Sequence, residues 1–233
     1  MVSTTSNIMK HKTTHIILAL TTACLLPQLA SAQLHITEVE SQEAGAGAFS
    51  NPQDWFELSN VGGTSVNITG YTMDDNSDSF ALSVALQGIT TIAAGESVVF
   101  FENTGTSLTA ADFRNWWGPG LSFSVQVGTY SGSGVGLSSS SDQVNIFNST
   151  GTEIDGVNFG SATKGDTFIY DNGAIGRSPS GLSQGGVGGA FTSVNGDIGS
   201  PGVDTVPEPT TLALGSLGLA TLAWLRRRPT RVA

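Results

Sequence analysis

The chain has 233 residues, 30 of them glycine, a single cysteine and a formal charge of −10. Between residues 33 and 206 lie 18 acidic side chains against three basic ones, Arg114, Lys164 and Arg177, a formal −15 for that stretch. This excludes nucleic acid as a partner, because backbone binding needs dense positive charge, and one cysteine excludes a disulfide scaffold. Solubility outside the cell accounts for the acidity. Divalent-cation binding is the sharper alternative.

The first 32 residues read as a secretory signal peptide. Lys10, His11 and Lys12 form a basic start, residues 16–29 an apolar run, and Ala30-Ser31-Ala32 a small-residue cleavage site for signal peptidase. The run is short of the roughly 20 residues a membrane span needs. Cys24 falls inside it, so the mature chain, starting at Gln33, has no cysteine.

From residue 33 to 180 the apolar signal comes in short bursts of period two, the mark of half-buried strands. Leu34 and Ile36 form the first, with Glu38-Val39 as an extension, and Trp55-Phe56-Glu57-Leu58 the second, Phe56 and Leu58 on one face and Trp55 and Glu57 on the other. Val66 and Ile68 lead through Gly70 to Tyr71-Thr72-Met73, and residues 80–82 and 90–92 are further strand candidates. Ser97-Val98-Val99-Phe100-Phe101 is nearly continuous in hydrophobicity, which predicts a central strand. Thr109 to Trp117 is the one helical stretch, with Thr109 as cap, Asp112 as the acid of a capping box and Gly118-Pro119-Gly120 as the stop. Trp116 and Trp117 are expected to plug one end of the core rather than to face a ligand. Residues 122–141 read as a ragged loop. Val144 and Ile146 are joined to Ile154, Val157 and Phe159 by a turn at Asn148-Ser149-Thr150-Gly151, and residues 167–170 make a last strand. Turn residues around Gly62, Gly95 and Gly173 punctuate the series, which argues for an all-β antiparallel sandwich.

Residues 181–205 are poor in apolar side chains and read as a flexible Gly/Ser-rich spacer. The remainder, 206–233, contains Pro207-Glu208-Pro209, an apolar run over residues 210–225, and Arg226-Arg227-Arg228. Sixteen helical residues would span about 24 Å, slightly less than a roughly 30 Å hydrocarbon core. Trp224 and the arginines suit an interface, the arginines on the cytoplasmic side. A hydrophobic C-terminal helix held in a membrane before processing is therefore expected.

Few residues suggest chemistry. Asp74, Asp75, Asn76 and Asp78 are hard oxygen donors within five positions and a candidate for loosely held Ca²⁺, though without the EF-hand order; an acidic solvated turn is the plainer reading. Asp54 and Glu57 flank Trp55 and Phe56 and would need a partner acid to act as a glycosidase pair; the simpler expectation is a strand-end acid answering local backbone or Arg177. His35, alone in the mature chain, does not make a triad or a metal centre. No catalytic residue and no cofactor is assigned.

The middle of the chain resembles the bacterial branch of the lamin-tail domain, an immunoglobulin-like β-sandwich. The carrying segments run from the one containing Glu38, through Asp54-Trp55-Phe56-Glu57-Leu58-Ser59-Asn60, the one leading past Gly70, Ile92-Ala93-Ala94-Gly95-Glu96 and Asp155-Gly156-Val157, to Gly176-Arg177-Ser178-Pro179. That resemblance implies an accessory or surface module and fixes no catalytic function. The stretch from residue 206 to about 228 is similar to the PEP-CTERM sorting signal of Gram-negative bacteria. It implies export across the inner membrane, processing by an exosortase-like enzyme and delivery to the cell envelope or exopolysaccharide. The expectation is a non-enzymatic structural or adhesive module, with a carbohydrate- or calcium-binding domain as the alternative and an extracellular hydrolase after that. Tyr71 and Tyr130 are the candidate exposed aromatics for binding.

Overall fold

The computed structural model describes residues 33–45 and 53–203 of the protein. Its strands are β1 (Leu34–Glu40), β2 (Trp55–Asn60), β3 (Val66–Asn67), β4 (Thr72–Asp74), β5 (Val84–Ala85), β6 (Thr91–Ile92), β7 (Ser97–Glu102), β8 (Val127–Tyr130), β9 (Asp142–Phe147), β10 (Glu153–Phe159), β11 (Phe168–Ile169), β12 (Gly181–Leu182), β13 (Phe191–Thr192) and β14 (Ile198–Gly199), with an α-helix, α1 (Ala110–Trp117), followed among the described residues by a 3-10 turn, Gly118–Gly120. A six-stranded sheet runs β12-β11-β1-β2-β7-β8 and a four-stranded sheet β10-β9-β4-β5. Their inner faces meet through Ile36, Val39, Phe56, Leu58, Val98 and Phe100 on one side and Met73, Val144, Ile146, Val157 and Phe159 on the other. This is a β-sandwich. The strands pair antiparallel except β7 with β8, which run parallel.

A third layer covers the outer face of the larger sheet. Trp55, Val99 and Phe101 pack there against Phe113, Trp116, Trp117, Leu121 and Val125. Trp55 meets Trp117 edge-on at 5.4 Å, and Phe191 of β13 meets Trp117 the same way at 5.4 Å. Both faces of β1, β2 and β7 are therefore buried, which is why β7 reads as an unbroken apolar run. The two tryptophans of α1 are buried, as expected, but in this layer over the outer face of the larger sheet and not at one end of the core.

Local chemistry sets the element ends. Thr109 donates both its amide and its hydroxyl to the Asp112 carboxylate, 2.8 and 2.7 Å, and starts α1 as a capping box. The β9–β10 turn closes on Gly151 at φ 82°, a backbone conformation that glycine adopts without strain. A bulge between Ile36 and Glu38 re-phases β1, so that Val39 faces the core while Glu38 and Glu40 face outward.

Several expectations are corrected. Residues 80–82 form no strand: Phe80 and Leu82 lie in a turn and are exposed, Phe80 resting on Phe147 and on the glycine turn at Gly151. The stretch 122–141 is not all loop, since it contributes β8, whose residues alternate between half-buried (Val127, Thr129) and buried (Gly128, Tyr130) against β7. Residues 181–203 do not behave as a spacer. They supply β12 to the main sheet, pack Phe191 on Trp117, and deliver backbone and hydroxyl donors to buried acids. The signal peptide, Ala30 and Ala32 of its cleavage site, and the C-terminal hydrophobic helix fall outside the described residues. Among the described residues no helix is long and apolar enough to cross a membrane.

Candidate functional site

The acids singled out in the sequence fall into four groups. The first joins the two sheets. Where β1 runs past the end of β11, the Ile36 amide donates to Asp155 Oδ2 on β10 at 2.7 Å, and the Ile36 carbonyl accepts from Arg177 Nη2 at 2.6 Å. Arg177 also grips both oxygens of Asp155, at 2.6 and 2.9 Å, and donates to the Asp171 carbonyl at 2.7 Å. Its guanidinium lies 5.9 Å from the Tyr170 ring centre, a cation–π contact. His35 Nδ1 lies 3.4 Å from the same carboxylate. Burial pushes Asp155 up, but the nearby His35 ring and the bonds from Arg177 and the Ile36 amide outweigh it and hold the carboxyl below its usual value. Arg177 therefore answers Asp155; of the two partners the sequence allowed Asp54 and Glu57, backbone or Arg177, both acids take backbone amides, those of Leu137 and Gly202. Asp155 is the partner the sequence left unassigned: an acid in a β-strand, distant in sequence from its arginine.

The second group ties residues 181–203 to the sheet. Glu38 accepts from the hydroxyl of Thr167, from the hydroxyl of Ser183 at 3.1 Å, and from the amide and hydroxyl of Ser200 at 2.9 and 3.0 Å. Burial raises its carboxyl above the ordinary value despite these bonds. Glu57 accepts from Thr37 at 2.6 Å and from the Gly202 amide at 2.5 Å. Both oxygens of each acid are occupied by the protein's own donors, so neither faces a substrate. Asp197 accepts from the Trp116 indole and the Ser193 hydroxyl, each at 2.6 Å, and from the Ala44 amide at 2.5 Å. Trp55 donates to Glu40, whose carboxyl burial and the neighbouring Asp197 charge hold well above the usual range.

The third group is Asp54 with Glu43 and Glu102. Asp54 accepts from the Leu137 amide at 2.8 Å. Burial first, and the Glu43 charge second, push its carboxyl up to about 8. Tyr130 lies alongside these charges, fully buried and with a raised hydroxyl. It is not the exposed binding aromatic expected from sequence, whereas Tyr71 is half-buried.

The sign of the Asp54 shift yields a prediction. Between the ordinary value near 4 and about 8 the folded chain holds a proton that the unfolded chain has released. Stability therefore falls as pH rises through that window, by on the order of 6 kcal/mol for this group. Asp54→Asn keeps the acceptor for Leu137 and removes the titration. Urea midpoints at pH 5 and pH 8.5 should differ by about half as much in the variant as in the parent. Equal slopes would show that Asp54 is not the group responsible.

The fourth group is the proposed calcium loop. Asp74 Oδ2 accepts from the Ser77 hydroxyl at 2.5 Å and the Ser79 amide at 2.7 Å, and Asp75 Oδ1 accepts from the Ser77 amide at 3.2 Å. The Asn76 amide donates to Asp142 at 3.1 Å, and Asp78 takes φ 45°. The cluster folds as a turn closed by its own donors. Among the described residues no group of three or more His, Cys, Asp or Glu side chains is placed to hold a metal ion.

The remaining motif residues shape loops. Asn60 Nδ2 donates to the Thr64, Ile92 and Ala93 carbonyls at 2.8, 3.2 and 3.0 Å, and its Oδ1 accepts from the Gly62 amide at 3.1 Å. Gly95 closes the adjoining turn at φ 72°, its amide bonded to the Asn60 carbonyl at 2.8 Å. Gly70, at φ 79°, passes so close to Ser149 that a side chain there would meet it. Pro207, Glu208, Pro209, Arg226, Arg227 and Arg228 lie outside the described residues.

Residues 27–161 match the family model described as Lamin Tail Domain, and residues 205–228 match the one described as PEP-CTERM protein-sorting motif. The first match stops before β11, which pairs with β1, before β12, which extends the sheet from β11, and before Arg177, which grips Asp155 in the matched part. No curated protein matches the chain.

Proposed function

Since this chain belongs to the lamin tail domain family, we propose that it is a non-enzymatic, exported surface module with a structural or adhesive role. One observation carries this reading. The well-placed acids Glu38, Glu57 and Asp155 are spent on internal bonds, while the chain continues from the folded body directly into a protein-sorting motif. Chemistry is thus invested in holding the body together, and the tail in placing it.

In this reading signal peptidase removes residues 1–32. An exosortase-type enzyme acts at the Pro207-Glu208-Pro209 signal. Until then the apolar run over residues 210–225 holds the chain in the inner membrane as a helix, with Arg226, Arg227 and Arg228 on the cytoplasmic side. Delivery is to the envelope or exopolysaccharide of a Gram-negative cell, and the folded unit extends from residue 33 to about 203. Intact mass spectrometry of protein recovered from the cell surface tests both ends at once. The expected species starts at Gln33 and lacks the arginine cluster. Full-length chain recovered only from the cell interior would overturn the reading.

A further inference from the structure

Exposed large apolar side chains are unevenly placed on this molecule. Of those described, Phe123, Val194 and Val203 lie in segments that pack on one another at one end, and Val187 stands two residues before Gly189 of the same group. Gly202 lies against Val125, where a Cβ would come within 2.1 Å of a valine methyl, and Val203 lies against Gly189. Val194 packs on Gly118, and its amide donates to the Trp116 carbonyl at 3.1 Å. Phe191 packs beneath Gly120. Residues 118–125, 187–194 and 200–203 thus form one continuous surface, centred on the point where the described chain ends at Val203.

Phe123 is 92 % exposed at the tip of that surface, yet its turn is braced. Arg114 donates to the Ser122 carbonyl at 3.0 Å and to the Val125 carbonyl, the Val125 amide donates to the Ser122 carbonyl at 3.3 Å, and the Ser122 and Ser124 hydroxyls bond each other at 2.8 Å. A phenylalanine held out into water by a fixed turn has apolar area to bury elsewhere at little ordering cost.

The sequence says where. Six residues, 204–209, separate Val203 from the apolar run that begins at Thr210. The seven steps from Val203 to Thr210 reach at most about 25 Å. Whenever that run is in a bilayer, Phe123 and its neighbours are confined near the lipid surface, at an effective concentration where weak apolar contacts suffice. We propose that this end of the sandwich, Phe123 with Val187, Val194 and Val203, docks on the surface of a zwitterionic phospholipid bilayer while the sorting segment is held there. The −15 body disfavours strongly anionic lipid. The proposal rests on the membrane-held precursor described above.

The test uses the full chain carrying Cys24→Ser and Ser124→Cys, labelled with an environment-sensitive fluorophore and reconstituted into phosphatidylcholine vesicles with or without lipid-borne quencher. Flotation reports whether the chain is in the vesicles, and quenching reports whether residue 124 touches lipid. The expected result is at least twofold quenching at 124, little at a Thr150→Cys probe on the other sheet, and loss of more than half the quenching with Phe123→Ser. A chain that floats with an unquenched probe overturns docking alone. A chain that does not float overturns docking together with the anchored precursor. A probe shift that grows with protein concentration in detergent, without lipid, assigns the face to a second copy and overturns the proposal.

Discussion

Arg177→Met is expected to lower stability by about 3–5 kcal/mol, because it leaves the Asp155 carboxylate buried without its cation. The arginine spans two sheets and a loop through Asp155, the Ile36 carbonyl and the Asp171 carbonyl. Lysine offers one point charge in place of the planar fork and should recover only part of the loss. The deficit should shrink with acid. Asp155 sits below the ordinary carboxylate value in the native chain. Its stabilising contribution is therefore present above that ordinary value and disappears as pH falls through the depressed one. Urea unfolding at pH 7 and pH 3 measures both effects. Adding Asp155→Asn to Arg177→Met should restore part of the stability at pH 7, since removing both charges costs less than orphaning one. A loss under about 1 kcal/mol for Arg177→Met would show that the clasp is not what joins β1 to β10.

A chain ending at Ser180 is expected to lose cooperative folding, whereas one ending at Val203 should unfold within about 0.5 kcal/mol of the parent. The shorter chain loses Phe191 from the face of Trp117, both Ser200 donors and the Ser183 hydroxyl from Glu38, the Gly202 amide from Glu57, and the Asp197 acceptor from the Trp116 indole. Glu38 and Glu57 are buried, and a buried acid stripped of donors costs roughly 1–3 kcal/mol or more. Uncovering Trp117 adds a further few kcal/mol. Together these rival the roughly 5–15 kcal/mol by which a domain of this kind is stable. Circular dichroism melts of the two truncations decide the matter: if residues 181–203 were a spacer, the two would melt together.

The difference between what the chain announces and what it conceals follows from the interactions involved. β7 and the α1 cap are local patterns, a run of apolar residues and a Thr–Asp spacing, and both appear where the sequence places them. The loop residues Asn60, Gly70 and Gly95 likewise act through neighbours in space that their turn chemistry implies. Residues 181–203 give no such signal. Their order comes from Glu38 and Glu57, acids far back in the chain whose partners are backbone amides and serine hydroxyls, and composition does not report that pairing. β8 is hidden because a parallel strand borrows its partner from β7 rather than from an adjoining hairpin. Tyr130 misleads because its hydroxyl suggests an exposed ring, yet Phe56 packs against it at 5.6 Å within the core. Asp155 was invisible as Arg177's partner because nothing in a β-strand marks one acid as the recipient of a guanidinium.

The way each sheet terminates has a consequence for how copies of this protein meet one another. The larger sheet ends on β12, two residues long, and on β8, whose outer side is bridged by Gln87 to Thr129. The smaller ends on β5, again two residues, and on β10, whose rim is closed by Gly176 and Arg177 bonding to Gly156 and Asn158. Margins so brief or so covered offer little unpaired backbone on which an identical molecule could add itself. Edge-to-edge addition of one copy to another is thereby disfavoured, even at high concentration.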